Sequence, residues 1–199
     1  MKTGAVTEAD VREAARRGRT LAVPDGAVVT PSARDVARQL GVSLERAGAP
    51  QGAKRTVALG ADHGGFPMKE QLKALLAELG YEPLDLGTHS TDAVDYPDFA
   101  VAVARAVAEG RAWRGIMVDG AGIGSAMAAN KVPGVRAALC YDLTPAANAR
   151  EHNDATVLTL GGTLIGTRLA AEIVKVFLAT AFAAGRHQPR VDKINALDR

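Results

Sequence analysis

Gly115-Ile116-Met117-Val118-Asp119-Gly120-Ala121-Gly122-Ile123-Gly124-Ser125 reads as a short buried strand, a glycine-rich turn and the approach to a helix. The small-residue run Ala126-Met127-Ala128-Ala129-Asn130 supplies that helix. A strand, a glycine turn and a helix start make an anion site, because bare backbone N–H groups face one point. Asp119 opens the turn. A carboxylate there would repel a bound phosphate, yet it suits removal of a proton from carbon beside a developing oxyanion. Aspartate also caps helix N-termini well, and that structural role is the alternative at this position.

Working outward, strand and helix patterns alternate from residue 54 onward. Strands are expected at Thr56–Gly60, Glu82–Leu86, Gly115–Val118, Val135–Cys140 and Thr156–Leu160. Helices are expected at Pro67–Leu79, Pro97–Glu109, Pro145–Glu151 and Gly166–Ala183. The first carries Met68, Leu72, Leu75, Leu76 and Leu79 at helical spacing, and the last carries Leu169, Ile173, Val176 and Phe177. This alternation predicts a three-layer α/β/α fold, Rossmann-like, with a five-stranded parallel sheet covered by helices on both faces. Ligands bind such sheets beyond the carboxyl ends of the strands. Asp62, His63, Asp119 and Asp142 fall there.

Residues 1–47 differ in kind. Thr7, Glu8 and Asp10 can start a helix to about Arg17, with Gly18 as its stop. Pro24-Asp25-Gly26 reads as a turn, and Thr30-Pro31 starts a second helix that ends at Gly41. The expectation is a small helical extension without internal repeat, a linker at 48–53, and a main domain at 54–199. Hydrophobic residues make up 47% of the 199, enough for a core in which Ala, Val, Leu and Ile do the filling, since aromatics are only 4%. The net charge of +2 comes without a Lys/Arg tract, which argues against nucleic acid. No apolar run reaches the ~20 residues of a membrane span, and the N-terminus lacks a signal-peptide core. The single cysteine, Cys140, fits a reducing cytoplasm.

Five segments occur in order: Gly60-Ala61-Asp62-His63-Gly64-Gly65-Phe66, Val94-Asp95-Tyr96-Pro97-Asp98-Phe99-Ala100, Gly120 to Gly124 followed by Ala128-Ala129-Asn130-Lys131-Val132, Arg150-Glu151-His152-Asn153-Asp154, and Gly185-Arg186-His187-Gln188-Pro189-Arg190-Val191. Together they resemble the type B ribose-5-phosphate isomerases and the related galactose-6-phosphate isomerase subunits, over roughly residues 56–197. The resemblance implies interconversion of aldose and ketose phosphates through an enediolate, with no metal or other cofactor. By position, His152 would help open the sugar ring with Asn153 beside it. Asp62 and His63 would contact the sugar, and Tyr96 would line the site. The turn from Gly120 through Gly122 and Ile123 to Gly124 would hold the enediolate oxygen. Arg186 and Arg190 would grip the phosphate from a second subunit, which implies a homodimer, or a dimer of such dimers, with shared sites. Arginine forks suit phosphate oxygens, and a neutral imidazole can pass a ring proton near neutral pH.

The chain also departs from that pattern. The ribose enzymes commonly carry cysteine where Asp119 stands, a hydroxyl residue at Ala121, and in many cases arginine at Thr163. Asp119 is similar instead to one subunit type of the galactose-6-phosphate isomerases. Three readings follow: a ribose-5-phosphate isomerase with Asp119 as base, a hexose-6-phosphate isomerase, and a non-catalytic subunit that completes a partner's site. The stretch Thr30-Pro31-Ser32-Ala33-Arg34-Asp35-Val36-Ala37 with Gly41-Val42 resembles short segments on enzymes of bacterial microcompartments. That implies a scaffold partner for residues 1–47; packing on the chain's own domain or a neighbouring subunit is the alternative.

Overall fold

The computed structural model describes residues 5–17, 20–23, 28–46 and 55–198. It divides into two units, Met1–Ala53 and Lys54–Arg199. The expected stop at Gly18, the turn Pro24-Asp25-Gly26 and the linker at 48–53 lie outside the described residues.

The first unit contains the two expected helices, α1 (Glu8–Arg17) and α2 (Pro31–Leu40), but it is not purely helical. Among the described residues, four short strands accompany them: β1 (Ala5–Val6), β2 (Thr20–Val23), β3 (Val28–Val29) and β4 (Ser43–Arg46). Nor is it free of repetition. The first two strands pair in parallel with those 23 residues further on, Ala5 with Val28 and Thr20 with Ser43. The helices begin and end at the same offset. The unit is one strand–helix–strand motif used twice, with Val6, Val11, Ala14, Val23, Ala33, Val36, Ala37 and Val42 as its core. Both helix starts are capped locally. Asp10 Oδ2 accepts from the N–H and hydroxyl of Thr7, each at 2.7 Å, and Thr30 Oγ1 accepts from the Ala33 N–H at 3.2 Å.

The second unit runs β5 (Thr56–Ala61), α3 (Phe66–Glu78), β6 (Glu82–Asp85), α4 (Tyr96–Ala108), β7 (Arg114–Asp119), α5 (Ile123–Ala129), β8 (Ala137–Leu139), α6 (Leu143–Asn153), β9 (Val157–Gly161) and α7 (Thr167–Ala179). A 3-10 turn, Gly185–His187, and α8 (Gln188–Asn195) follow. The five strands form one parallel sheet in the order β6-β5-β7-β9-β8. Val57, Leu59, Ile116, Val118, Leu158 and Leu160 pack against α3, α6 and α7 on one face. Ala58 and Val157 pack against Val103, Ala104 and Ala106 of α4 and Ala129 of α5 on the other. The three-layer α/β/α architecture is therefore the one the alternation predicts. The chain reverses its winding between β5 and β7, and the carboxyl ends of those two strands carry Asp62 and Asp119.

Several boundaries move, and two of the shifts follow from contacts made elsewhere in the fold. The fourth strand of this sheet covers 137–139 rather than 135–140, because it is an edge strand paired only with β9 and its neighbour Arg136 is drawn away by other partners. Cys140 lies just past it, 1% exposed, and burial pushes its thiol up to about 11. Helix α7 stops at Ala179 rather than Ala183. Thr180 turns extended with its hydroxyl on the Val176 carbonyl, and the Ala183 N–H donates to Glu151 O at 2.9 Å. Alanine is the best helix former, so the run through Ala183 reads as helix until tertiary contacts decide otherwise.

An ion cluster ties α3 to the end of β6. Lys69 is fully buried, with Nζ 2.6 Å from Asp85 Oδ1 and 3.0 Å from Glu70 Oε1. Lys73 reaches the other Asp85 oxygen at 2.8 Å, and the Gly87 N–H donates to Oδ1 at 3.0 Å. Burial alone would raise the Asp85 carboxyl; hydrogen bonds from Lys69, Lys73 and Gly87 outweigh it and hold the group at about 2.

Candidate active site

Asp119 is the last residue of β7 and is 4% exposed. Its Oδ1 accepts from the N–H groups of Ala121, at 2.8 Å, and Gly122. Its Oδ2 accepts from the Ser125 N–H, at 3.1 Å, and the Ser125 hydroxyl. All four partners donate, as an acceptor-only carboxylate requires. Gly122 makes the turn possible: its φ is +79°, and a Cβ there would run into the Leu160 backbone. Helix α5 starts at Ile123, three residues before the expected run, so its first amides face the turn. Among the described residues, the N–H groups of Ile123 and Gly124 meet no protein acceptor. The Gly122 N–H is thus occupied by Asp119, while those of Ile123 and Gly124 are left open.

The other expected residues at this end of the sheet gather around the turn. Asp62 is buried, and its Oδ1 accepts from the Gly65 N–H at 2.8 Å, which fastens its own loop. Gly64 approaches Gly120 closely. His63 is exposed, with Nδ1 held between the carbonyl and N–H of Val94 at 3.2 and 3.3 Å. Tyr96, the first residue of α4, packs its ring against Gly124, leaving no room there for a side chain.

His152, Asn153, Arg186 and Arg190 form a second group. They line a cleft of about 440 Å³ together with Asn148 and His187, and no residue of the first group lines it. Helix α6, capped at its start by Asp142 accepting from the Thr144 N–H, brings His152 and Asn153 to its last turn. The Ala183–Glu151 bond and the 3-10 turn fold Arg186 and His187 back over that end. The His152 and His187 rings stack with centroids 4.1 Å apart and planes 7° apart. The Asn148 amide lies 2.9 Å from His152 Nδ1; with the amide nitrogen donating, the ring proton sits on Nε2. Partial burial, then the nearby His152, Arg186 and Arg190 charges, pull the His187 pKa below its ordinary value. Two guanidinium groups beside two imidazoles are an anion-binding arrangement.

Arg136 fastens both halves of this cleft. Its guanidinium donates to Asn153 O at 3.0 Å, to Asp154 O at 2.9 Å and Oδ2 at 3.0 Å, and to Asn195 Oδ1 of α8 at 2.8 Å. Arg150 and Arg114 also converge on Asp154.

The sequence profile described as Ribose/Galactose Isomerase matches residues 57–194. The chain belongs to the Ribose/Galactose Isomerase family. A putative sugar phosphate isomerase of Bacillus subtilis is 46% identical over 140 residues, 70% of this chain and 94% of that protein. The ribose-5-phosphate isomerase B of Escherichia coli is 42% identical over 145 residues, 73% of this chain and 97% of that one. Among solved structures, the type B ribose 5-phosphate isomerase of Trypanosoma brucei superposes with a TM-score of 0.71 at 49% identity, covering 72% of this chain and 99% of that chain. The family match begins at residue 57, and the first unit lies outside it.

Asn148 and His187 take part in the cleft but carry no prediction from sequence. Asn148 had a readable signal, four residues before His152 on one helix face. The stacking of His187 on His152 depends on the chain reversal after α7, which no local pattern announces.

Proposed function

We propose that the chain is an aldose–ketose isomerase of sugar phosphates, with ribose 5-phosphate as its first substrate. The observation that carries this reading is the cleft in which two arginines adjoin His152, because it supplies a phosphate clamp and a ring-opening imidazole side by side. The names of the relatives, which align over nearly their whole lengths, point the same way. In the mechanism, Arg186 and Arg190 hold the phosphate and His152 moves the proton that opens the ring. Asp119 then takes the proton from C2 of the open aldose, and that electron pair forms the C1=C2 bond of the enediolate. The charge gathers on the C1 oxygen, where the free N–H groups of Ile123 and Gly124 suit it. The C2 hydroxyl proton passes to the C1 oxygen, and as the C2=O bond forms the C1=C2 electron pair takes the proton back from Asp119 at C1, which yields the ketose.

The two groups of residues complete one site across two copies of the chain in this reading. His152 and Asn153 then arrive with Arg186 and Arg190, since all four line one cleft. The test is isomerisation of ribose 5-phosphate, and of a hexose 6-phosphate, by the purified chain with a chelator present. Turnover of the pentose supports the proposal; turnover of the hexose alone reassigns the substrate.

One observation favours a second reading. Both Asp119 oxygens already accept bonds from their own turn, as a structural cap would. A chain that binds sugar phosphate tightly, turns over neither substrate alone, and gains activity only with a cysteine-bearing partner would be a non-catalytic subunit.

A further inference from the structure

Three successive carbonyls of the turn after β7 each accept a side-chain hydroxyl. Thr163 Oγ1 donates to Gly120 O at 2.7 Å, Tyr141 OH to Ala121 O at 2.6 Å, and Thr159 Oγ1 to Gly122 O at 2.9 Å. The donors come from the β8–β9 side of the sheet: Tyr141 just after β8, Thr159 within β9, Thr163 just after it. In a trans peptide the N–H points opposite to the C=O it is joined to. Fixing these carbonyls therefore aims the N–H groups of Ala121, Gly122 and Ile123 the other way. The first two meet the Asp119 carboxylate, and the third is one of the free donors. We propose that Tyr141, Thr159 and Thr163 are positioning residues that hold the turn in its working shape before substrate arrives.

Core stability does not explain all three. Thr159 is fully buried, but Tyr141 and Thr163 are exposed, and the Gly120 and Gly122 carbonyls also accept the backbone N–H groups of Thr163 and Ala126 at 3.1 Å each, so satisfying these carbonyls does not require the hydroxyls. What their hydroxyls add is a fixed orientation of adjacent peptide planes, which matters most where a developing charge is to be met by donors already in place. The catalytic consequence rests on the isomerase reading; the orientation of the turn does not.

The test uses the exposed pair, so that folding is spared: Tyr141→Phe and Thr163→Val, singly and together, with Thr163→Ser as the conservative control. The readouts are kcat and KM for ribose 5-phosphate, the thermal midpoint, and hydrogen exchange across residues 119–126. The double variant is expected to lose about tenfold or more in kcat, with KM within about twofold, an unchanged midpoint and faster exchange; Thr163→Ser keeps kcat close to the parent chain's. An unchanged kcat overturns the proposal. So does a loss of kcat that follows a fallen midpoint and is not relieved by serine. If the unmodified chain isomerises no sugar phosphate, the isomerase reading fails, and exchange alone decides: unchanged protection overturns the clamp, and faster exchange upholds it.

Discussion

Asp119 is a single buried carboxylate with four donors around it. As the base, it should be intolerant of Asn, which removes the charge while keeping the shape. Asp119→Asn should cost about 10²–10⁴-fold in kcat and leave the affinity for a phosphate ligand near that of the parent. Isothermal titration and steady-state rates measure the two separately, and normal turnover by the variant would remove Asp119 from the mechanism. Arg186→Ala should act in the opposite pattern, raising KM for the sugar phosphate with a smaller effect on kcat. The sequence marked Asp119 because a glycine turn follows a buried strand. It did not disclose that the carboxylate takes up the N–H groups of Ala121 and Gly122, because that depends on how the turn closes on itself. Tyr141 was equally invisible, since its partner lies twenty residues back along the chain.

At the scale of elements, period and punctuation were informative. Strand-length apolar runs, leucines at helical spacing and Gly-Pro boundaries placed the five strands and helices α3 to α7 of the second unit to within a few residues, but α8 (Gln188–Asn195) carried no expectation. At α7 a contact with a distant residue overrode local preference, where the Ala183–Glu151 bond ends the helix early. In the first unit the 23-residue repeat was legible in principle. Val6 and Val29, Thr7 and Thr30, Ala14 and Ala37, and Leu21 and Leu44 are identical pairs, yet too sparse to stand out in strands of two to four residues. The junction of α3 and β6 supports a pH prediction. Asp85 lies at about 2 in the folded chain, below its ordinary 3.8, so the ionised form favours folding. Its contribution, on the order of 2 kcal/mol, is full above about pH 4 and is lost as pH falls through about 2. Lys69→Met leaves Asp85 without its buried partner. It should cost about 3 kcal/mol at neutral pH and flatten the acid limb, as urea unfolding at pH 3 and pH 7 would reveal.

For the whole molecule, the two separated groups of site residues make a strong prediction about assembly. If one site draws Asp119 from one copy and His152 with Arg186 and Arg190 from another, two inactive variants should rescue each other. Equal amounts of Asp119→Asn and His152→Gln, unfolded and refolded together, should recover roughly a quarter of parental activity, because half of the dimers carry one intact site of two. Absence of any recovery would place both groups within a single copy. The two units have separate cores. Removal of residues 1–53 is therefore expected to leave kcat and KM unchanged, and any effect on co-assembly with a scaffold would assign the first unit its task.

Cys140 is the only thiol in the chain, sealed beside the edge strand and held far from its reactive form. The folded protein should therefore be indifferent to alkylating agents that would silence an isomerase relying on a cysteine at the position of Asp119. The same thiol becomes a clock. Where the β8 border recloses faster than iodoacetamide reacts, the labelling rate relative to that of a free thiol reads the free energy of that opening, without a probe being added.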